Sequence, residues 1–199
     1  EGLWARHADA DGAVAQVREA AEAGAGPGDA IRMLQQLHAA PIDEGLLGEA
    51  LKGVRDAGVT VAARVSPQRA RELTPTLLAA GVEILVVQGT IISAEHVSQG
   101  EPLNLKEFIN SLDVPVVAGG CGDYRTAMHL MRTGAAGVIV GYGESSATTT
   151  DEVLGIGVPM ATAIVDAAAA RRDYLDETGG RYVHVIADGG MAGSGDLAK

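Results

Sequence analysis

The stretch Thr133-Gly-Ala-Ala-Gly-Val-Ile-Val-Gly-Tyr-Gly143 decides the fold. Gly134 ends a helical segment, Ala136–Val140 is a short apolar run, and glycine returns at Gly141. A run this short, without polar alternation, is what a parallel strand buried on both faces requires. The pattern recurs on both sides, in Val59–Val65, Val82–Val87, Val114–Ala118 and Tyr182–Ala187. Amphipathic stretches of helical length lie between: Pro67–Ala80, Leu103–Leu112, Asp123–Thr133 and Pro159–Thr178. Strands alternating with helices imply right-handed βαβ crossovers and a parallel sheet.

Boundary residues agree. Ser66-Pro67 predicts a cap followed by proline at a first helical position, and Gly81 and Gly134 are expected just past helix ends. The first 55 or so residues read as helices alone: Asp9 or Asp11 to Ala23, a break at Gly24–Gly28, then Asp29–Ala39 and Glu44–Ala57.

A parallel sheet of this kind closes as a barrel or stays open and doubly wound. An open sheet usually carries a Gly-x-Gly-x-x-Gly turn after its first strand, and none follows Val65. The expected class is therefore α/β, a (β/α)8 TIM barrel present as five to six β/α units in one domain over 1–199. The strands should run in chain order, with Gln88, Cys121, Gly141 and Asp188 at one end. The missing initiator Met and the ending Gly195-Asp-Leu-Ala-Lys199, which resembles the first turn of a helix, read as a piece of a longer protein.

Composition narrows the function classes. Hydrophobic residues make up 47% but aromatics only 3%, so the core must be built from Val, Ile, Leu and Ala. A net charge of −11 lacks the Lys/Arg footprint that nucleic acid or an anionic membrane would need. The uncharged stretch Val153–Val165 is too short to span a bilayer, which takes ~20 residues. Cys121 is the only cysteine, which excludes an intrachain disulfide and a Cys-rich zinc site and suits a reducing cytoplasm. The five histidines show no metal-ligand spacing, and Arg171-Arg-Asp173 with Asp176-Glu177 reads as a solvated helix end.

In a (β/α)8 barrel the strand C-termini form the active face. Here that face would carry Ser66, Gln88-Gly-Thr90, Gly119-Gly-Cys121, Gly141–Thr150 and Asp188-Gly-Gly190. The loop Gly141-Tyr-Gly-Glu-Ser-Ser-Ala-Thr-Thr-Thr150 combines glycines, which let backbone N–H groups approach an anion, with hydroxyl donors. It reads as a phosphate loop, against the plainer reading of an ordinary surface turn. Cys121 has no neighbouring Lys or His to lower its pKa and reads as structural.

Gly141-x-Gly143, Ser146, Thr149-Thr150, Val153-Leu-Gly155, Val158-Pro159 and Ala161-Thr-Ala163 resemble the active-site loop of IMP dehydrogenases and GMP reductases. Ile186-Ala-Asp-Gly-Gly190 resembles the family's next strand, and Gly119-Gly120 an earlier one. Gln88-Gly-Thr90, Glu101–Lys106, His129–Ala136 and Arg171–Thr178 are most similar to the actinobacterial IMP dehydrogenase-related branch, which lacks the paired CBS domains. The helical stretch Gly24–Pro41 stands about where those domains would be inserted.

The resemblance implies oxidation of IMP to XMP. A cysteine thiolate adds to C2, hydride passes to NAD, and water hydrolyses the enzyme-bound intermediate. It places the nucleotide phosphate on Ser146 and Gly190, with Gly189 and Gly120 beside it, and the ribose hydroxyls on Asp188. A carboxylate suits a diol because it only accepts. Gln88, Gly141, Tyr142 and Gly143 would line the NAD side, and the carbonyls of Gly141, Gly143 and Thr148 would hold a monovalent cation such as K+. A homotetramer is implied as well. Three positions depart from the family: Thr148 stands where the nucleophilic cysteine belongs, Gln88 replaces the acidic residue that orients the cofactor, and Glu144 and Asp151 flank the phosphate loop. A hydroxyl needs an adjacent base where a thiol does not. The leading expectation is a purine-nucleotide-binding barrel with weak or lost catalysis. A nucleotide-sensing or interaction protein and a GMP reductase-type oxidoreductase are the alternatives.

Overall fold

The structure, a computed structural model, describes residues 2–23, 27–89, 95–96, 102–143 and 150–198. It divides into two compact units, Glu1–Val61 with Pro75–Val82, and Ala62–Thr74 with Glu83–Lys199.

The first unit is helical, as its sequence implies. A 3-10 turn at Leu3–Ala5 precedes α1 (Ala10–Glu22), α2 (Pro27–His38) and α3 (Glu44–Asp56). Aspartates start two of them. Asp9 accepts from the Gly12 N–H at 2.8 Å, and Asp43 from Gly45 at 2.8 Å and Leu46 at 3.2 Å. Each satisfies N–H groups that the helix cannot, and places negative charge at the positive end of its dipole. The turns are tied back: Asp43 N–H donates to the Ala5 carbonyl at 2.8 Å, a His7 ring nitrogen lies 2.9 Å from the Leu37 carbonyl, and Arg6 donates to Ala40. Near residue 80, Val82 N–H reaches the Leu77 carbonyl and Gly81 N–H reaches Leu78, with Gly81 at φ 89°. That is a Schellman ending with glycine where it was expected.

The second unit holds the sheet. In chain order it contains β1 (Ala62–Val65), β2 (Ile84–Gln88), the two-residue strands β3 (Glu95–His96) and β4 (Leu103–Asn104), β5 (Val116–Cys121), β6 (Gly137–Val140) and β7 (His184–Ala187). The sheet order is β1-β2-β5-β6-β7, all parallel, while β3 and β4 pair antiparallel as a separate hairpin. Each parallel strand lies beside the next in the chain, without the reversal of a doubly wound sheet. The sheet is an arc of a barrel, as expected.

Leu85, Val87, Val116, Ala118, Val138 and Val140 are all at most 1% exposed and form the core of this arc. Two of its helices are α6 (Tyr124–Arg132) and α8 (Met160–Glu177), which pack together. On α8 the buried residues Ala163, Ala167, Ala170 and Tyr174 recur at helical spacing, so small side chains let the backbones approach. Tyr124 also donates to Asp173 at 2.6 Å, and Arg132 grips Glu177 at 2.6 and 3.1 Å. Both partners of the ion pair are half-exposed, and such pairs typically contribute ~0.2–1 kcal/mol, so apolar packing dominates.

Some boundaries shift. Ser66 does not cap a helix. Its carbonyl accepts from Arg69 N–H at 3.1 Å, residues 67–69 form a turn, and α4 (Ala70–Ala79) begins only after it. Residue 103 belongs to the hairpin, so α5 is Leu105–Asn110, capped by the Asn104 side chain accepting from Glu107 N–H at 3.1 Å. Two short helices complete the list, α7 (Thr150–Leu154), which was not foreseen, and α9 (Ser194–Ala198). Among the described residues no helix is long and apolar enough to cross a membrane.

Candidate functional site

The strand ends converge as the alternation of strands and helices demands. Gln88 is in register with Gly119, Cys121 with Val140, and Val140 with Ala187. The ladder runs on past the strands: Gly89 N–H donates to Gly119 at 3.0 Å, Gly120 to Gly89 at 3.1 Å, Gly141 to Cys121 at 2.7 Å, and Asp188 to Val140 at 2.9 Å. Gln88, Gly120, Cys121, Gly141 and Asp188 therefore share one rim, the C-terminal end of the sheet.

Two of them touch. The Gln88 side-chain amide donates to Asp188 Oδ2 at 2.8 Å, across a separation of 100 residues. Strands β2 and β7 have β5 and β6 between them. In a flat sheet the three inter-strand steps would span about 14 Å, farther than the two side chains and a hydrogen bond extend together. The sheet must curl for the bond to form, so the bond reports both the barrel curvature and the shape of its mouth.

Glycines set the floor of the mouth. The β5–β6 register shifts between Gly119 and Cys121, leaving Gly120 as the extra residue of a bulge. A Cβ at Gly120 would collide with the Gly141 carbonyl oxygen, and one at Gly119 would lie 2.5 Å from Ile139 Cβ. Tyr142 lies against Gly122 so closely that a Cβ there would be 2.6 Å from its ring. The half-buried Tyr142 ring thus sits against Gly122 at the rim, next to Gly143 in the chain. A groove of about 240 Å³ is lined by Pro159, Met160, Ile164, Gly190, Met191 and Asp196, among others. Gly189 follows Asp188 and precedes this groove.

Cys121 belongs to the core. It is 0% exposed, its thiol donates to the Ile139 carbonyl at 3.3 Å, and burial, assisted by the Asp123 charge, pushes it up to about 12. Such a thiol is not a nucleophile at neutral pH. Asp123 feels burial first, but the bonds it accepts from Thr126 and the Arg125 charge outweigh that and leave it below the usual carboxylate range. Among the described residues no cluster of His, Cys, Asp and Glu could hold a metal ion.

Ser146 and Thr148, with the rest of 144–149, lie outside the described residues. Sequence reading placed Gln88 and Asp188 at the same rim but missed that they bond, because nothing in either strand announces a partner 100 residues away. It also missed Gly122 as the seat of Tyr142.

Relatives agree with this geometry. The model of the IMP dehydrogenase / GMP reductase domain matches residues 8–199. An "uncharacterized oxidoreductase" of Mycolicibacterium smegmatis is 71% identical over 201 aligned residues, covering all of this chain and 54% of that protein. An inosine-5'-monophosphate dehydrogenase of Haemophilus influenzae is 40% identical over 128 residues, covering 64% of this chain and 24% of the relative. The crystal structure of an IMP dehydrogenase/GMP reductase-like protein from Corynebacterium glutamicum superposes with a TM-score of 0.87 at 61% identity, over 99% of this chain and 51% of that one. The chain spans about half the length of the longer relatives it matches along its whole extent. Strand order, a glycine-built mouth and a family match from residue 8 to residue 199 lead to one conclusion: the chain belongs to the IMP dehydrogenase / GMP reductase family.

Proposed function

We propose that this chain is the nucleotide-binding barrel of an IMP dehydrogenase-related oxidoreductase without CBS domains, in which the thiol chemistry of the family does not run. The observation that carries this reading is the rim itself, where Asp188, beside Gly189 and Gly190, faces Gln88 across the mouth of a family barrel. Asp188 would accept the ribose hydroxyls of a purine nucleotide such as IMP or XMP. Ser146, Gly190, Gly189 and Gly120 would surround its phosphate. Tyr142, Gly141 and Gly143 would border the dinucleotide side. NAD, when bound, supplies a hydride acceptor. The Tyr142 ring and the glycines beside it could border a planar ring, whereas Gln88 brings no charge and is already engaged by Asp188. A monovalent cation such as K+ would rest on the carbonyls of Gly141, Gly143 and Thr148. The assembly is a cytoplasmic homotetramer.

Thr148 stands at the nucleophile position, and the only thiol of the chain, Cys121, is buried and protonated. The full protein should therefore bind IMP, form no covalent adduct by intact mass, and generate negligible NADH. Hydrogen bonds to a charged acceptor are worth ~1.5–3 kcal/mol, so Asp188→Ala should weaken IMP binding roughly 10- to 100-fold by calorimetry. Thr148→Cys restores a thiol at the reacting carbon and should yield an adduct in the mass spectrum. Vigorous NADH formation that survives Thr148→Ala would sink the assignment of Thr148. An unchanged dissociation constant in Asp188→Ala would remove Asp188 from the site.

A further inference from the structure

We propose that Gln88 is the positioning residue of Asp188, and that the two side chains together read the ribose hydroxyls of the bound nucleotide. This deepens, and rests on, the reading of the mouth as a purine-nucleotide site.

Asp188 follows the last strand of the arc, and its side chain is open to solvent. A free exposed aspartate samples several rotamers, and fixing one on binding costs affinity. Here the half-buried Gln88 amide, anchored at the end of β2 and in register with Gly119, donates to Oδ2 at 2.8 Å. One carboxylate oxygen is thereby tied, the plane of the carboxylate is set, and Oδ1 is left as the acceptor for a hydroxyl. The amide suits the task because it presents both a donor and an acceptor. Its NH2 can hold Asp188 while its carbonyl oxygen accepts from a second hydroxyl. A carboxylate at position 88 would instead set like charges against each other at hydrogen-bonding distance. Residue 88 in this chain thus serves the nucleotide's ribose and not the dinucleotide. Gln88→Asp should therefore damage the substrate half.

The test compares IMP with 2′,3′-dideoxyinosine monophosphate, by calorimetry on the full protein, in wild type, Gln88→Leu, Asp188→Ala and the double variant. Gln88→Leu should weaken IMP about 3- to 10-fold, leave the dideoxy nucleotide within about twofold, and have no further effect once Asp188 is Ala. NAD affinity should not move. The Gln88 side-chain amide resonance, assigned by its loss in Gln88→Leu, should shift in Asp188→Ala, which reads the bond without any ligand. A Gln88→Leu loss confined to NAD, or equal losses for both inosine nucleotides, would overturn the positioning role while the nucleotide site stands. A wild type that binds neither nucleotide, with the amide resonance still coupled to Asp188, would overturn the nucleotide reading and the positioning role with it.

Discussion

Ile139 and Ile186 are register partners on neighbouring strands, yet one is 6% exposed and the other 41%. Both sit in short apolar runs, Gly137-Val-Ile-Val140 and His184-Val-Ile-Ala187. What separates them is position. β6 has β5 on one side and β7 on the other, and all four of its residues are buried. Among the described residues β7 has a neighbouring strand on one side only, and it alternates between exposed and half-buried residues. Apolar sequence permits burial, and neighbours on both sides deliver it.

The contrast can be broken most sharply with a thiol probe. At pH 8, Cys121 should react with iodoacetamide at least roughly a thousandfold more slowly than a cysteine introduced by Ile186→Cys. A thiol near 12 has that much less thiolate than an ordinary one, before burial is counted. Comparable rates would show that the β5–β6 pair opens as readily as β7. The same group makes stability depend on alkaline pH. Its folded value lies above the unfolded value of about 9, so its contribution is complete below pH 9 and is lost as the pH rises towards 12. Urea titrations should show wild type losing stability across that window faster than Cys121→Ala.

A backbone probe comes next. Gly120→Ala drives a Cβ into the Gly141 carbonyl and should cost more than about 3 kcal/mol, read as a lowered urea midpoint. A near-neutral result would mean that the bulge has room to move. The smallest effects concern the two isoleucines. Ile139→Ala should cost about 2–5 kcal/mol and Ile186→Ala less than about 1 kcal/mol, in parallel melts. Equal costs would erase the distinction between the strands.

Much of the fold was readable from particular residues. Continuous Val/Ile runs bounded by glycine located all five parallel strands, and Asp9, Asp43 and Asp123 stood where helices begin. The hairpin was not readable, because two-residue strands carry no period. Helix α7 escaped because it presents Val153 and Leu154 to solvent, at 73% and 58% exposure, and so lacks an amphipathic pattern. Ser66-Pro67 misled because a proline that can start a helix can equally start a turn. The rim positions of Gln88, Gly120, Gly141 and Asp188 followed from strand ends, whereas the Gln88–Asp188 bond depends on curvature, a property of the whole sheet.

The bulge in β5 has a consequence for insertions and deletions. Ala118 pairs with Val138 and Cys121 with Val140. Val138 and Val140 point to one face, so Ala118 and Cys121 share that face although they stand three positions apart, where regular alternation needs two. Removing Gly120 would restore the two-residue step and keep Cys121 in phase with the core. The sheet alone therefore has no use for this residue. A shortened chain should still pair β5 with β6, but the backbone that lies against the Gly141 carbonyl would be gone. Chain length at this point is a signature of the mouth, and a one-residue gap there in a homologue would mark a barrel that has kept its frame and reshaped its mouth.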